Sequence, residues 1–286
     1  MRGALPMVLQ AHVAPSILAA DFAALGDGIK RCGSHPPAHS GLRPPPPPPP
    51  PPSAPPPPAP LAAGPGTGGG TTPDRGGGAS RVAAAGADWL HIDVFDGHYV
   101  NNLTFGPPVI KCLRPVDRSL FFDIHLCVTN PEAHVAALAE AGADQVQFHP
   151  DQTQDVAGLV RAIRAAGMRP AIAVSPDQPA ALAAEAVKAG CEHVNVMTVT
   201  PGFGGQSFMP EMLEKVRELR GLFPDLDIGV DGGAGPANIK MVAAAGANVV
   251  VAGSAVFKAA DPAAVVAELQ GTIASQIAAT RAPASA

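Results

Sequence analysis

Cysteine is scarce in this sequence, with four residues among 286 and no CxxC pair. The four are Cys32, Cys112, Cys127 and Cys191. Small secreted domains depend on closely spaced cysteines, and zinc ribbons need paired CxxC spacings. The sequence therefore predicts neither a disulfide framework nor a zinc ribbon, and it favours a reducing compartment.

Positive charge and long hydrophobic runs are also lacking. The formal net charge is −5 and no basic stripe opposes it, which argues against nucleic acid and anionic membranes as partners. No apolar run approaches the roughly 20 residues of a membrane helix, so we expect no membrane span. The opening residues, MRGALPMVLQA, contain one arginine and no serine, which is too little for a targeting signal. We expect a cytoplasmic location, with a plastid as the alternative if the N-terminus is incomplete.

Proline and glycine are concentrated in one segment, residues 32–81, which includes nine consecutive prolines from Pro44 to Pro52. Such a composition cannot bury a core and is typical of polyproline II and flexible coil. Without this segment Val82 would follow Leu25 and Ile29 at helical spacing, so the segment interrupts the first helix. A natural flexible insertion that binds an SH3-type domain is one explanation. We favour an intron retained in the gene model.

Outside that segment, strand-like runs alternate with helical patterns, and 47% of all residues are apolar, enough for a sizeable core. The predicted strands are His12–Ile17, Asp88–Val94, Leu120–Leu126, Asp144–His149, Arg169–Val174, Glu192–Met197, Asp227–Val230 and Asn248–Gly253. Eight βα units predict a (β/α)₈ TIM barrel with its site at the carboxyl ends of the strands, and a doubly wound open sheet is the alternative. We place an N-terminal extension at 1–11, the single barrel domain at 12–279 and a flexible tail at 280–286.

Polar side chains interrupt these apolar strands at a few positions. His91 and Asp93 are two residues apart, so they point to the same side of one strand. Two further strand ends contribute His125 and Asp231. Two imidazoles and two carboxylates converging there predict a site for one divalent cation. Asp123 shares the parity of His125 and is a further ligand candidate.

Glycine-rich loops follow three neighbouring strands. They are TVTPGFGGQSF at Thr198–Phe208, DGG at Asp231–Gly233 and AGS at Ala252–Ser254. Glycine lets backbone N–H groups approach an anion, and phosphate sites after the last strands recur in these barrels. The loops therefore predict phosphate binding. No GxxxxGK[ST] motif is present, which argues against a nucleoside triphosphate.

Several motifs together resemble the ribulose-phosphate 3-epimerase family, in order and over essentially the whole chain except residues 32–81. They are APSILAADF, DWLHIDVFDGHYVNNLTFGPPVI, FDIHLCVTNPE, VMTVTPGFGGQSFMPEMLEKV, DIGVDGGAGP and AGSAVF. The resemblance implies a (β/α)₈ barrel that interconverts D-ribulose 5-phosphate and D-xylulose 5-phosphate with one divalent metal. The pentulose 5-phosphate is thus the expected partner, and a homo-oligomer is the expected assembly.

The resemblance also implies roles for individual residues. The metal ligands would be His91, Asp93, His125 and Asp231, and the two aspartates would also be the acid/base pair. Substrate contacts would be Ser16, His91, His125, Met197, Gly202, Phe203, Gly204, Gly205, Gly232, Gly233, Gly253 and Ser254. The sequence does not name the metal, because this ligand set suits Zn²⁺, Fe²⁺, Mn²⁺ or Co²⁺.

Inversion of a carbon next to a ketone needs one group that removes a proton and a second that delivers one to the opposite face. We expect Asp93 to act as base and Asp231 as acid on ribulose 5-phosphate, with exchanged roles in the reverse direction. A bound cation would stabilise the intermediate enediolate. A 3-epimerase of a related ketohexose phosphate, allulose 6-phosphate, is an alternative. A non-catalytic phosphosugar-binding or proline-ligand scaffold is another, if the insertion disables the barrel.

The chain departs from the family pattern at a few positions. Phe95 and Cys127 stand where methionines commonly cover the enediolate, so we expect a changed but poorly hydrated cover and an altered rate. Asn101 replaces a usual proline, and Gly229 replaces a common acidic residue. Neither of these two is expected to touch a ligand.

Overall fold

The computed structural model describes residues 9–20 and 85–281. The expected Pro/Gly-rich insertion at 32–81 lies outside the described residues, as does the helix that it would interrupt. Most of the expected N-terminal extension and C-terminal tail also lies outside them. Within the described ranges, no helix is both long enough and apolar enough to cross a membrane.

The described residues form eight strands, all paired in parallel, in the order β1-β8-β7-β6-β5-β4-β3-β2. They are β1 (His12–Ala14), β2 (Trp89–Phe95), β3 (Phe121–Cys127), β4 (Gln145–Phe148), β5 (Arg169–Val174), β6 (His193–Met197), β7 (Asp227–Asp231) and β8 (Val249–Val251). The eight predicted strands are confirmed.

Backbone contacts between β1 and β2 close the sheet into a barrel. The N–H of His91 donates to the carbonyl of Pro15 at 3.1 Å, and Ser16 and His91 form a parallel bridge. A doubly wound sheet keeps two open edges, so this closure decides for the predicted (β/α)₈ barrel.

Helices alternate with the strands along the chain. They are α1 (Pro107–Leu113), α2 (Val135–Ala141), α3 (Val156–Ala165), α4 (Ala180–Ala189), α5 (Leu213–Leu222), α6 (Ile239–Ala245), α7 (Ser254–Phe257) and α8 (Pro262–Arg281). Short 3₁₀ helices lie at Ile17–Ala19, Pro131–His134, Pro150–Gln152 and Pro210–Met212. The last helix ends at Arg281, beyond residue 279, where we placed the end of the barrel.

The first strand is shorter than predicted. It ends at Ala14 rather than at Ile17, because Pro15 has no N–H to continue the ladder and Ser16 starts a 3₁₀ turn. The hydroxyl of Ser16 accepts a hydrogen bond from the N–H of Leu18 at 3.3 Å, which caps that turn. This early end of the strand places Ser16 on the rim of the barrel.

The two faces of the strands differ in chemistry. Alternate apolar residues such as Leu90, Ile92 and Ile124 are fully buried in the main hydrophobic cluster, which also contains helix residues. The residues between them point into the barrel, and many are polar. Because side chains alternate along a strand, the two-residue period separates an apolar layer under the helices from a polar barrel interior.

His193, on β6, lies in this polar interior with no exposed surface. The amide nitrogen of Gln145 donates to Nδ1 of His193 at 2.8 Å, and within residues 9–20 and 85–281 its Nε2 has no hydrogen-bond partner. Burial lowers the pKa of His193 to about 4, although the nearby charge of Asp123 raises it. The imidazole is therefore neutral in the folded protein at neutral pH.

We predict that acid destabilises the fold through His193. The unfolded imidazole gains its proton near pH 6.5 and the folded one only near pH 4, so the unfolded state binds more protons in that window. Stability should fall as pH drops from 6.5 to 4, by about 3 kcal/mol from this group. Urea unfolding between pH 6.5 and pH 4 measures this loss of stability in the native chain and in His193→Gln. The exposed His98→Gln is the control. If the free energy of unfolding depends on pH as steeply in His193→Gln as in the native chain, the prediction is contradicted.

Candidate active site

The carboxyl ends of three strands bring four side chains together. His91 and Asp93 project from β2, His125 from β3 and Asp231 from the end of β7. The register pairs Asp93 with His125. One potential ligand atom from each of the four lies within 4.8 Å of the others. The structure thus assembles the set that strand parity predicted.

Asp123, the further ligand candidate, has a different place. Its Oδ2 accepts a hydrogen bond from Nδ1 of His91 at 2.8 Å. Amide nitrogens of Gln145 and Gln147 donate to its oxygens at 2.6 to 2.7 Å. Asp123 therefore lies one layer deeper in the barrel, where it fixes the ring of His91 and leaves Nε2 directed towards the cluster.

Nε2 of His91 is the most informative atom of the cluster. It lies 3.4 Å from Oδ1 of Asp93 and 3.3 Å from Oδ2 of Asp231. It is buried and has no hydrogen-bond partner among the described residues. Buried polar atoms without partners are rare in folded proteins, so an unpaired nitrogen facing two carboxylates points to a cation between them.

Electrostatics favour ionised carboxylates here. Burial raises the pKa of Asp93, but the positive charge of His91 and the hydrogen bond from His125 lower it more, so the pKa lies well below its usual range. For His91, burial lowers the pKa while the charges of Asp93 and Asp231 raise it, and the net shift is upward. The carboxylates thus draw positive charge into the cluster, which a metal ion can supply in place of a proton.

A cavity opens at this end of the barrel, next to the cluster. All the predicted substrate contacts line it except His91, namely Ser16, His125, Met197, Gly202, Phe203, Gly204, Gly205, Gly232, Gly233, Gly253 and Ser254. Asp93 and Asp231 line it too. His91 is fully buried and does not reach the cavity. The hydroxyl of Ser16 donates to Oδ2 of Asp93 at 2.8 Å, which orients that carboxylate.

The glycine-rich loops adopt conformations that glycine favours. Gly232 has φ +118° and Gly233 has φ +67°. A Cβ at Gly232 would overlap the side chain of Val199, and one at Gly233 would lie 2.8 Å from the backbone nitrogen of Phe208. These glycines therefore let two loops pack together at the cavity rim with their backbone exposed to it.

Two supports of the rim were missed by the sequence analysis. The amide nitrogen of Asn102 donates to the carbonyl of Gly202 at 2.7 Å and joins the loops after β2 and β6. Gln206 donates to the carbonyls of Thr200 and Phe203, which holds the glycine-rich loop in shape. Both are polar residues inside otherwise predicted loops, and sequence spacing alone does not reveal loop-to-loop contacts.

The residues expected to cover the substrate differ in their contacts. Phe95 and Met197 line the cavity, whereas Cys127 is not among its lining residues. The Sγ of Cys127 lies 3.4 Å from Nε2 of His125 and 3.6 Å from Nε2 of His149. Cys127 thus packs against His125 and His149, and its expected part in the cover of the substrate stays a prediction.

Comparison with known proteins identifies the family. The model of the ribulose-phosphate 3-epimerase family matches residues 74–257. The chain belongs to this family. It is 50% identical over 198 residues to the cytoplasmic isoform of ribulose-phosphate 3-epimerase from Oryza sativa subsp. japonica, covering 68% of this chain and 86% of the relative. It is 49% identical over 191 residues to the Eremothecium gossypii ribulose-phosphate 3-epimerase, covering 63% and 80%.

A solved structure supports the same fold. The crystal structure of a 3-hexulose-6-phosphate synthase aligns with a TM-score of 0.53 and 26% identity, covering 68% of this chain and 91% of that one. As a member of the ribulose-phosphate 3-epimerase family, the chain is an isomerase of carbohydrate metabolism. The predicted family, enzyme class and fold are confirmed.

We predict that Gly232→Ala disrupts the cavity rim. The new Cβ overlaps Val199 and strains a left-handed backbone, so stability should fall by about 1 to 3 kcal/mol and kcat/KM should fall at least about ten-fold. Gly271→Ala, in α8, is the matched control, because its Cβ meets no atom within 4 Å. Epimerase kinetics and urea unfolding of both variants test this. Native kinetics in Gly232→Ala would contradict it.

Proposed function

We propose that the chain is a metal-dependent 3-epimerase of D-ribulose 5-phosphate and D-xylulose 5-phosphate. The observation that carries the proposal is the pair Asp93 and Asp231, which come from different strands and flank the unpaired Nε2 of His91. Relatives named ribulose-phosphate 3-epimerase support the choice of substrate.

The four clustered side chains fit a single divalent cation. Nδ1 of His125 lies 3.2 Å from Oδ1 of Asp93 and 3.7 Å from Oδ2 of Asp231. Ligand atoms about 2.0 to 2.1 Å from a tetrahedral ion lie roughly 3.3 to 3.4 Å apart, close to these spacings and to those of His91. His91, Asp93, His125 and Asp231 would therefore hold the metal, and Zn²⁺, Fe²⁺, Mn²⁺ and Co²⁺ all suit such a set.

The two aspartates would share the proton transfer. Asp93 removes the proton from C3 of ribulose 5-phosphate, and Asp231 delivers a proton to the opposite face, with the roles exchanged for xylulose 5-phosphate. Ser16 holds Oδ2 of Asp93 on the cavity side. When bound, the metal supplies Lewis-acid stabilisation of the negative charge that develops on the substrate oxygens.

The glycine-rich rim would bind the phosphate. Gly202, Gly204, Gly205, Gly232, Gly233, Gly253 and Ser254 line one side of the cavity. Their backbone N–H groups and the Ser254 hydroxyl can donate to phosphate oxygens. Met197 and Phe203 also border the cavity and add apolar surface next to the substrate.

The limits of the catalytic unit are also a proposal. We propose a barrel domain at 12–279, interrupted by residues 32–81, acting in the cytoplasm as a homo-oligomer. The rice relative is named a cytoplasmic isoform, which supports that location.

We predict that Asp93→Asn and Asp231→Asn each reduce epimerisation by about 10²-fold to 10⁴-fold, because each removes one proton-transfer group. In D₂O, Asp231→Asn should still exchange the C3 proton of ribulose 5-phosphate, and Asp93→Asn that of xylulose 5-phosphate. NMR of the two sugars measures both reactions.

The exposed Asp225→Asn, just before the amino end of β7, is the matched control. Metal content is measured on each sample, since Asp93 and Asp231 are both proposed ligands. Near-normal turnover in Asp93→Asn or Asp231→Asn would overturn the two-carboxylate mechanism.

We predict that a version lacking residues 32–81 is an active epimerase, because every site residue lies outside that segment. A chelator should abolish its activity, and Mn²⁺ or Zn²⁺ should restore it. A coupled assay on the full and shortened chains, with allulose 6-phosphate as competing substrate, measures this. Inactivity of both chains with every metal tried would overturn the assignment.

A further inference from the structure

We propose a second cation site, made of one thiolate and two imidazoles, directly behind the active-site cluster. Its ligands are Sγ of Cys127, Nε2 of His149 and Nε2 of His125. The ligand class is a thiophilic divalent cation such as Cd²⁺, Zn²⁺ or Co²⁺. This site is distinct from the four-residue cluster, which faces the other ring nitrogen of His125.

The spacing of the three atoms fits one ion. The two Nε2 atoms are 3.0 Å apart, and Sγ of Cys127 lies 3.4 Å from one and 3.6 Å from the other. A tetrahedral Zn²⁺, with bonds of about 2.0 to 2.1 Å to nitrogen and 2.3 Å to sulfur, sets N to N at roughly 3.3 Å and N to S at roughly 3.6 Å. A displacement of a few tenths of an ångström is enough to admit the ion.

The fold holds these side chains in place. Cys127 is the last residue of β3, and His149 follows β4 directly, so both come from neighbouring rigid strands. All three side chains are almost completely buried. Nδ1 of His149 lies 3.4 Å from Oγ of Ser175, and the ring of Tyr99 packs on it with centroids 4.7 Å apart. When Nδ1 donates to Ser175, Nε2 presents a lone pair to Cys127 and His125.

The shared imidazole couples the two sites. Nδ1 of His125 faces Asp93 and Asp231, while Nε2 faces Cys127. A neutral imidazole has one lone pair, so a cation on Nε2 leaves the ring proton on Nδ1 and removes a ligand from the four-residue cluster. Cation binding releases the thiol proton to solvent. Occupation of the second site thus competes with the proposed catalytic metal. This competition rests on the proposed function, whereas cation binding does not.

Cobalt titration of the full chain, freed of metal by a chelator, tests the site. Thiolate ligation of Co²⁺ gives a near-ultraviolet sulfur-to-cobalt charge-transfer band. We expect this band in the native chain and in Cys191→Ser, a control that removes another buried thiol. It should be absent in Cys127→Ser and Cys127→Met, and weakened in His149→Gln. Circular dichroism checks that each variant is folded.

The absence of the band in the native chain, or its persistence in either Cys127 variant, would overturn the proposal. Asp231→Asn separates it from the proposed function, because this variant should lose epimerisation but keep the band.

An activity measurement tests the competition. With the enzyme loaded with Mn²⁺, we expect Cd²⁺ to inhibit the native chain at concentrations at least about ten-fold lower than those that inhibit Cys127→Met, each rate taken relative to its own uninhibited value. Equal sensitivity of the two chains would overturn the competition between the sites.

Discussion

The contact that closes the barrel determines where every functional group lies. The backbone bond from His91 to Pro15 joins the first strand to the second, although long stretches of chain separate them. It places Ser16 beside Asp93 and turns the polar face of β2 inward. Without this closure the sheet would have two free edges, and the residues from β1, β2, β3 and β7 would not share one cavity.

A buried polar interior supports the site from below. Asp123 holds His91, and Gln145 and Gln147 hold Asp123. Several atoms in this interior have no partner in the described structure, among them Nε2 of His193 and Oδ1 of Asn195. Both face the Cα of Gly229, where an added Cβ would lie 2.7 Å from the one and 3.0 Å from the other. Unpaired atoms occur at the level of His91 as well, where Oε1 of Gln145 and Oε1 of Gln147 lack a partner in the described structure.

The sequence alone was sufficient to predict the eight strands and the convergence of four side chains, those of His91, Asp93, His125 and Asp231. The reason is that a two-residue period and the carboxyl ends of parallel strands are local properties. The depth at which a side chain lies within the barrel is not a local property, because it depends on how neighbouring strands pair. Strand parity made Asp123 as good a ligand candidate as His125. Only the pairing of β2 with β3 shows that Asp123 lies opposite His91 and contacts Nδ1, the ring nitrogen directed away from the cluster.

Contacts between loops and between side chains of different strands were also beyond the sequence. Asn102 donates a hydrogen bond to a carbonyl on a different loop. Gln206 donates to a carbonyl of its own loop, which comes within reach only when the loop is folded. The contacts of the Cys127 thiol with His125 and His149 are of this kind, because they join residues from two strands. Motif resemblance places such residues in the sequence but does not give the direction of their side chains.

The hydrogen bond between Asn102 and Gly202 has a consequence for how the cavity meets solvent. It joins loops from opposite sides of the barrel, and Pro201 borders both the cavity and a second depression lined by Tyr99, Asp151 and Asp177. Two depressions of unequal electrostatic character therefore meet at Pro201. In the proposed function, the carboxylates at the second depression would repel a sugar phosphate, whereas backbone N–H groups around the cavity would attract it. A dianionic sugar would then enter from the side of the glycine-rich loops, with its phosphate oriented before the ketone reaches the strand ends.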